Sequence, residues 1–331
     1  MHRVSQRVHR HAGRRGFTLV ELLIAMTMLA VIGTAVVSVL NRQQRFSRAA
    51  ADLGAMRTQL QTITSVLSGD LRSVSAVGGD IIRMTDSSVH VRTTIATSVI
   101  CSVSGHTIML APLDSVSSPV PAKFGPGPVK VRMTSMLLEP DKSMDSAFVW
   151  SEENNRWAAD AGTPGRPYQI TNVVQSVGGC PSILGMTAPT GSVSFALTLD
   201  ADMSTFPVGA PVQVVRHVSY GLYKSGVDGQ WYLGYRDPTF TAQQFVAGPL
   251  GPYVADSKSG LHFTYFDTLG TKLTVGSTPV TAYAQTSRVG RIEFNVNAVT
   301  TAPGSLAGAT VGAVQKDSLR VGVALRNRVP Q

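Results

Sequence analysis

The chain has 331 residues, 43% of them apolar and only 15% charged, a balance that excludes wholesale disorder and allows a sizeable core. Its 31 Gly and 18 Pro favour a turn-rich β protein over a helical bundle, and 2 Cys are too few for a disulfide scaffold or a structural zinc site. The formal charge of +9 is concentrated: Arg3, Arg7, Arg10, Arg14 and Arg15 stand in residues 1–16 without an acid, leaving 24 basic against 20 acidic side chains in the rest. A body so nearly balanced argues against a nucleic-acid partner, because such binders gather positive charge on a folded face.

After Gly16 the sequence reads Phe17-Thr18-Leu19-Val20-Glu21, then runs from Leu22 to Leu40 with no charge and no proline. As a helix those 19 residues span roughly 28 Å, about the hydrocarbon thickness of a bilayer. Arg42, Arg45 and Arg48 end the run, and five arginines before it against three after it predict a cytoplasmic N-terminus. A cleaved secretory signal would have a shorter apolar core and a small-residue cleavage site; Val36–Leu40 offers none. Arg14-Arg15 followed by Phe17 hints at a twin-arginine signal, but that reading, like a plain signal anchor, leaves Glu21 unexplained.

A carboxylate inside an apolar helix needs a cation or a proton. Cleavage between Gly16 and Phe17 would create such a cation in the new α-amino group. Pairing the two within one chain is geometrically poor, since both sit on the first helical turn; pairing between neighbouring chains would neutralise both.

The stretch Arg14-Arg15-Gly16-Phe17-Thr18-Leu19-Val20-Glu21-Leu22-Leu23-Ile24 resembles the class III signal of type IV pilins and type II secretion pseudopilins. The resemblance implies cleavage after Gly16 by the prepilin peptidase, N-methylation of Phe17 by the same enzyme, and use of Glu21 in subunit registration. Major pilins usually carry a proline well inside this helix; Gly33 and Ser38 stand in this stretch instead, which suits a minor pilin or pseudopilin.

Beyond Asn41 the apolar pattern becomes periodic. Leu53, Met56, Leu60, Ile63 and Leu67 are spaced 3-4-3-4, one stripe of an amphipathic helix. One helix is predicted from Phe17 to about Ser68, with Gly69 and Gly78-Gly79 as stops. The stripe packs on a sheet, or alternatively forms a short coiled-coil seam.

From about residue 80 the pattern is β-like. Val129–Met133, Val193–Leu199 and Leu319–Leu325 alternate as half-buried strands do. Phe148–Trp150 with Arg156-Trp157, and Val212–Lys224 with Gln230–Arg236, read as hairpins. Leu261–Phe266 followed by Asp267–Gly270 begins a third, and Arg288–Val296 supplies a late strand. Asp114–Pro128 and Ala302–Ala313 read as loops from their Pro, Gly and Ala content. The segments Val218–Tyr220, Tyr235-Arg236 and Leu261–Gly270 resemble PilW-like minor pilins and the related J-type pseudopilins, over short and degenerate stretches.

No zinc-protease, paired CxxC, Walker A or nucleophile-elbow signature is present. Asp200 and Asp202 have carboxylates for calcium but lack the rest of its loop. His217 and His262 read as ordinary strand histidines; Trp150, Trp157 and Trp231 read as hairpin packing. Cys101 and Cys180 either pair, as an oxidising compartment favours, or stay buried as small apolar residues.

The sequence thus predicts an α+β fold: a basic leader (1–16), a transmembrane apolar helix (17–40), its amphipathic continuation (41–76) and a β-rich extracytoplasmic head (77–331). It predicts a non-enzymatic minor pilin with no metal and no cofactor. The expected partners are the prepilin peptidase/N-methyltransferase, other pilin or pseudopilin subunits and inner-membrane lipid. The alternatives are a type II secretion pseudopilin, or a DNA-uptake or adhesive tip subunit with a ligand-binding head.

Overall fold

A computed structural model of the protein describes residues 18–121, 128–154, 156–158, 166–237, 242–300 and 316–326. Helix α1 (Leu19–Ser73) comes first. The strands are β1 (Ile81–Met84), β2 (Ser88–Ser104), β3 (Thr107–Leu110), β4 (Val116–Pro121), β5 (Pro128–Val131) and β6 (Ser135–Met136). They continue with β7 (Asp145–Ser151), β8 (Arg156–Ala158), β9 (Tyr168–Val177), β10 (Ser182–Ile183), β11 (Met186–Thr187) and β12 (Val193–Leu199). The last are β13 (Pro211–Lys224), β14 (Trp231–Arg236), β15 (Gln244–Leu250) and β16 (Leu261–Asp267), then short α2 (Tyr283–Thr286), β17 (Val289–Val299) and β18 (Lys316–Ala324). This is the α+β arrangement the sequence predicts.

Helix α1 has 55 residues, about 82 Å at 1.5 Å each. It divides sharply. Met56, Leu60, Ile63, Leu67 and Leu71 are buried, Leu53 is half-buried, and this stripe packs against β2, β15, β17 and β18. The large apolar side chains from Leu19 to Leu40 are bare, from 50% exposed at Leu40 to 79% at Leu19. The helix does not stop at Gly69. A glycine costs about 1 kcal/mol in a helix, less than burying Leu71 returns. The end comes at Val74, whose extended backbone (φ −71°, ψ 132°) breaks the turn while Asp80 accepts the Ser75 N–H at 2.8 Å.

The strands form two cores joined by long β2 and β13, which pair antiparallel from Pro211↔Val99 to Gly221↔Ser88. Around the second core the pairings close on themselves as β2–β3–β12–β9–β7–β13–β2, a six-stranded ring. Ile100, Ile108, Val149, Ile170, Phe195, Leu197 and Val214 fill it. Closure of this kind removes free edges. The main core joins the helix stripe to the other ends of β2 and β13 and to β14–β18, with Phe263, Tyr265 and Phe294 among its largest buried side chains. Between the cores Arg216 donates to both carboxylate oxygens of buried Asp145, at 2.7 and 2.9 Å.

Both complete hairpins form: Trp150↔Trp157 across β7–β8, and Ser219↔Arg236 to Lys224↔Trp231 across β13–β14. The third does not. Past Asp267–Gly270 the chain returns only one bridge, Phe266↔Lys272, and β16 pairs instead with β17, some twenty residues on. The expected loop at Asp114–Pro128 contains strand β4, which pairs sparsely with β5 in a separate four-stranded sheet; prolines fit there because few ladder donors are needed. Alternating Val129 and Val131 are exposed, not half-buried, since that small sheet leaves this face bare. The segment Ala302–Ala313 lies outside the described residues.

Leu67→Ala should lower the head's unfolding free energy by about 2–5 kcal/mol, because a fully buried Leu leaves a cavity between helix and sheet. Denaturant titration against the wild-type chain measures it; a loss below 0.5 kcal/mol, about the scale of a neutral surface change, would mean that the stripe does not anchor α1.

Candidate functional site

Thr18 begins α1 with an extended backbone (φ −76°, ψ 148°) that places its Oγ1 to accept the Glu21 N–H at 3.2 Å. Glu21 reaches back: its Oε2 accepts the Thr18 N–H at 3.4 Å and lies 3.5 Å from the Thr18 hydroxyl. This is a capping box, with an acid also placed at the positive end of the helix dipole. Within the chain, therefore, Glu21 already has donors where the sequence reading saw an unmatched carboxylate. Gly16 and Phe17, the expected cleavage and methylation positions, lie outside the described residues.

The bare segment that follows is long and apolar enough to cross a membrane. Its hydroxyls are internally satisfied: Thr27, Thr34 and Ser38 donate to the carbonyls of Ile24, Val31 and Ala35 at 2.9, 2.9 and 2.8 Å. A hydrocarbon environment supplies no partners of its own, so this back-bonding is what such a helix needs.

At the other end of α1, Asp70 accepts a hydrogen bond from Tyr220 of β13, and burial raises its pKa. Arg57 meets Asp317 of β18 at 3.6 Å. These contacts tie the head to the helix that carries it.

Cys101 at the end of β2 and Cys180 after β9 form a disulfide with Cα atoms 6.2 Å apart, packed beside Ala111, Val116 and Ile183. Asp200 accepts the Gln169 N–H at 2.9 Å and lies 3.9 Å from Arg166, while Asp202 accepts the Ser204 N–H at 3.0 Å. Both carboxylates thus hold backbone, of strand β9 and of the loop after β12 respectively, and among the described residues no three His, Cys, Asp or Glu side chains converge as a metal site. Trp150 and Trp157 meet edge to face at 5.5 Å, and Trp231 packs on the main core. His262 stands opposite Asn295 across β16–β17, its pKa lowered by burial. His217 accepts from the Arg92 Nε at 3.3 Å; burial first, and the Arg92 cation next, pull its pKa down to about 4.

Residues 11–37 match the family described as the prokaryotic N-terminal methylation motif. The match runs from the basic leader across the Gly16–Phe17 junction to near the end of the bare apolar stretch. The chain carries the prepilin-type motif of type IV pilin-like proteins. No curated protein and no solved structure matches the chain significantly. The matched residues thus take in both the capping box and most of the bare apolar run.

The residue that sequence reasoning passed over is Thr18. The spacing Thr18-x-x-Glu21 before an apolar run is itself a capping signature, and it was legible. Tyr220, Asp70, Asp145 and Arg216 carry no such signal, because their partners lie 71 or more positions away.

Two outcomes are expected of the head. His217 binds its proton more weakly folded than unfolded, so stability should fall as pH drops from 6.5 to about 4. His217→Gln should flatten that part of the stability–pH curve; an unchanged slope by denaturant titration across the window would remove His217 as its source. Replacing Cys101 and Cys180 with Ser should lower stability by about 4.5 kcal/mol, the loop-closure value for their separation of 79 residues. The comparison is the midpoint of the oxidised wild-type chain against the double variant, and equal midpoints would contradict it.

Proposed function

We propose that this chain is a minor pilin that helps to assemble or prime a type IV pilus-like filament, with no catalytic activity of its own. In this reading the prepilin peptidase cuts after Gly16 and methylates Phe17. The apolar segment of residues 17–40 then holds the subunit in the inner membrane, N-terminus cytoplasmic and head periplasmic, before it enters the filament beside other pilin or pseudopilin subunits. The observation that carries the reading is the helix itself: its proximal part is wholly bare, its distal part is locked into the head, and the methylation motif sits at its start.

The mechanism follows from two needs. Bare Leu, Ile, Val and Met side chains must be covered by lipid or by neighbouring helices, so a subunit leaving the membrane must enter a bundle. Glu21 must keep a donor throughout. In the lone subunit the Thr18 N–H serves; in the bundle the methylated Phe17 amine of a neighbour would replace it with a charge-assisted bond, stronger in an apolar setting. The capping box thereby acts as a placeholder that makes insertion tolerable and assembly favourable. A type II secretion pseudopilin would use the same residues in the same way.

Mass spectrometry of the N-terminal peptide from native membranes should find a chain beginning at N-methylated Phe17. A chain beginning at Met1 or near Leu40 would overturn the reading. Glu21→Val should leave processing and membrane insertion intact while reducing filament incorporation at least tenfold, about 1.4 kcal/mol of lost pairing. Incorporation at wild-type level, measured in sheared filament fractions, would remove Glu21 from assembly.

A further inference from the structure

The face of the sheet turned away from α1 carries an organised set of side chains that the filament reading above does not invoke. On β1, β2, β13 and β14, Val89, Val91, Val218, Tyr220 and Leu233 enter the main core, so their alternating neighbours face outward. The register sets these in rows. One row runs Arg83, His90, Ser219, Arg236 across four strands. A second pairs Arg92 with His217. A third runs Ser88, Gly221, Gly234, Phe245, and a fourth pairs Tyr223 with Tyr232.

The charge on this face is uneven in a way that composition hides. Arg166, Arg216, Arg288, Arg291 and Arg320 of the head each stand within 4 Å of a carboxylate. Arg83 and Arg236 are exposed and have no ion pair with a described residue. Three strand intervals separate them, about 14 Å, with His90 between. The His90 pKa is lowered by burial and then by these same two arginines, with no carboxylate acting against them.

Beside the cations lies an aromatic ledge. Phe245 is 61% exposed and its ring meets that of Tyr232 at 5.2 Å, which in turn meets Tyr223 at 6.1 Å. The glycine row keeps the floor between cations and rings low: a Cβ at Gly234 would come within 2.7 Å of the Tyr223 ring, and one at Gly221 within 3.0 Å of Ser88. The Gln243 amide packs over Gly234 and closes that floor, its buried Oε1 without a hydrogen-bond partner among the described residues.

We infer that this face, with Arg83 and Arg236 beside the exposed ring of Phe245, binds single-stranded nucleic acid. Unpaired arginines complement a phosphodiester backbone, and an exposed ring offers a stacking surface for an unpaired base. A duplex hides its base faces, and a purely anionic polymer has none, so neither uses the whole arrangement. The inference stands apart from the filament reading, since binding can be tested whatever the chain assembles into.

The test uses the full chain in lipid nanodiscs and fluorescein-labelled oligothymidylate, read by anisotropy over a salt series. Phe245→Leu keeps the apolar contact with Tyr232 but removes the ring, and should weaken binding about 5- to 150-fold, the range for one lost stack. The double variant R83Q/R236Q should weaken binding and make the slope of log affinity against log salt shallower by about 1.4, two phosphate contacts at about 0.7 each. Polyphosphate should compete more weakly than unlabelled oligothymidylate. Absence of binding would overturn the inference, as would equal affinity in both variants, which would place the binding on the arginines of the leader. Competition by polyphosphate as strong as by oligothymidylate, with Phe245→Leu silent, would reduce the face to a general anion patch and overturn it too.

Discussion

Everything in this molecule depends on how one helix is covered. Over the stretch Met56–Leu71 the apolar stripe of α1 is sealed against β2, β15, β17 and β18, and each fully buried Leu or Ile there contributes on the order of 1.5–3 kcal/mol. Over Leu19–Leu40 the same helix has nothing on it. One continuous element therefore imposes two solvent requirements at once: an aqueous side for the head and an apolar one for the stem. Helical hydrogen bonding lets the backbone meet both, because its donors and acceptors are satisfied within the segment whichever surroundings it has.

The head is built to hold the far end of that helix firmly. Tyr220 reaches from β13 to Asp70, Asp317 of β18 meets Arg57, and the Arg326 N–H donates to the Val74 carbonyl just past the helix. Long β2 and β13 carry these attachments onward into the closed ring of the second core. The buried Arg216–Asp145 pair stands where the cores meet, at a place where an unpaired charge would be strongly destabilising. The disulfide then ties the far end of β2 to the loop after β9.

Local chemistry was legible at the N-terminus because it depends on neighbours in sequence. A basic leader, Phe17, Glu21, an apolar run and a stripe at 3-4-3-4 spacing each speak through contacts no more than four residues apart. The two hairpins were legible for the same reason, a polar turn between alternating strands. The third failed because β16 finds its partner in β17, and nothing local distinguishes a strand that turns back at once from one that waits. The proline-bearing β4 was missed because sparse pairing in a small sheet tolerates what a central strand would not.

The sequence by itself determined that an apolar helix opens the chain, that it carries a prepilin-type signal, that a stripe on it seeks a core, and that strands follow. Only the tertiary structure decided where charge and aromaticity gather. Arg83, His90 and Arg236 are scattered over more than 150 positions, and overall the body is nearly neutral. They form one row because antiparallel pairing sets residues of distant strands about 5 Å apart on the same face. Other arginines of the head are matched by carboxylates, from two positions away for Arg291 and Glu293 to 71 for Arg216 and Asp145. Composition adds charges without regard to place; a sheet sorts them by register.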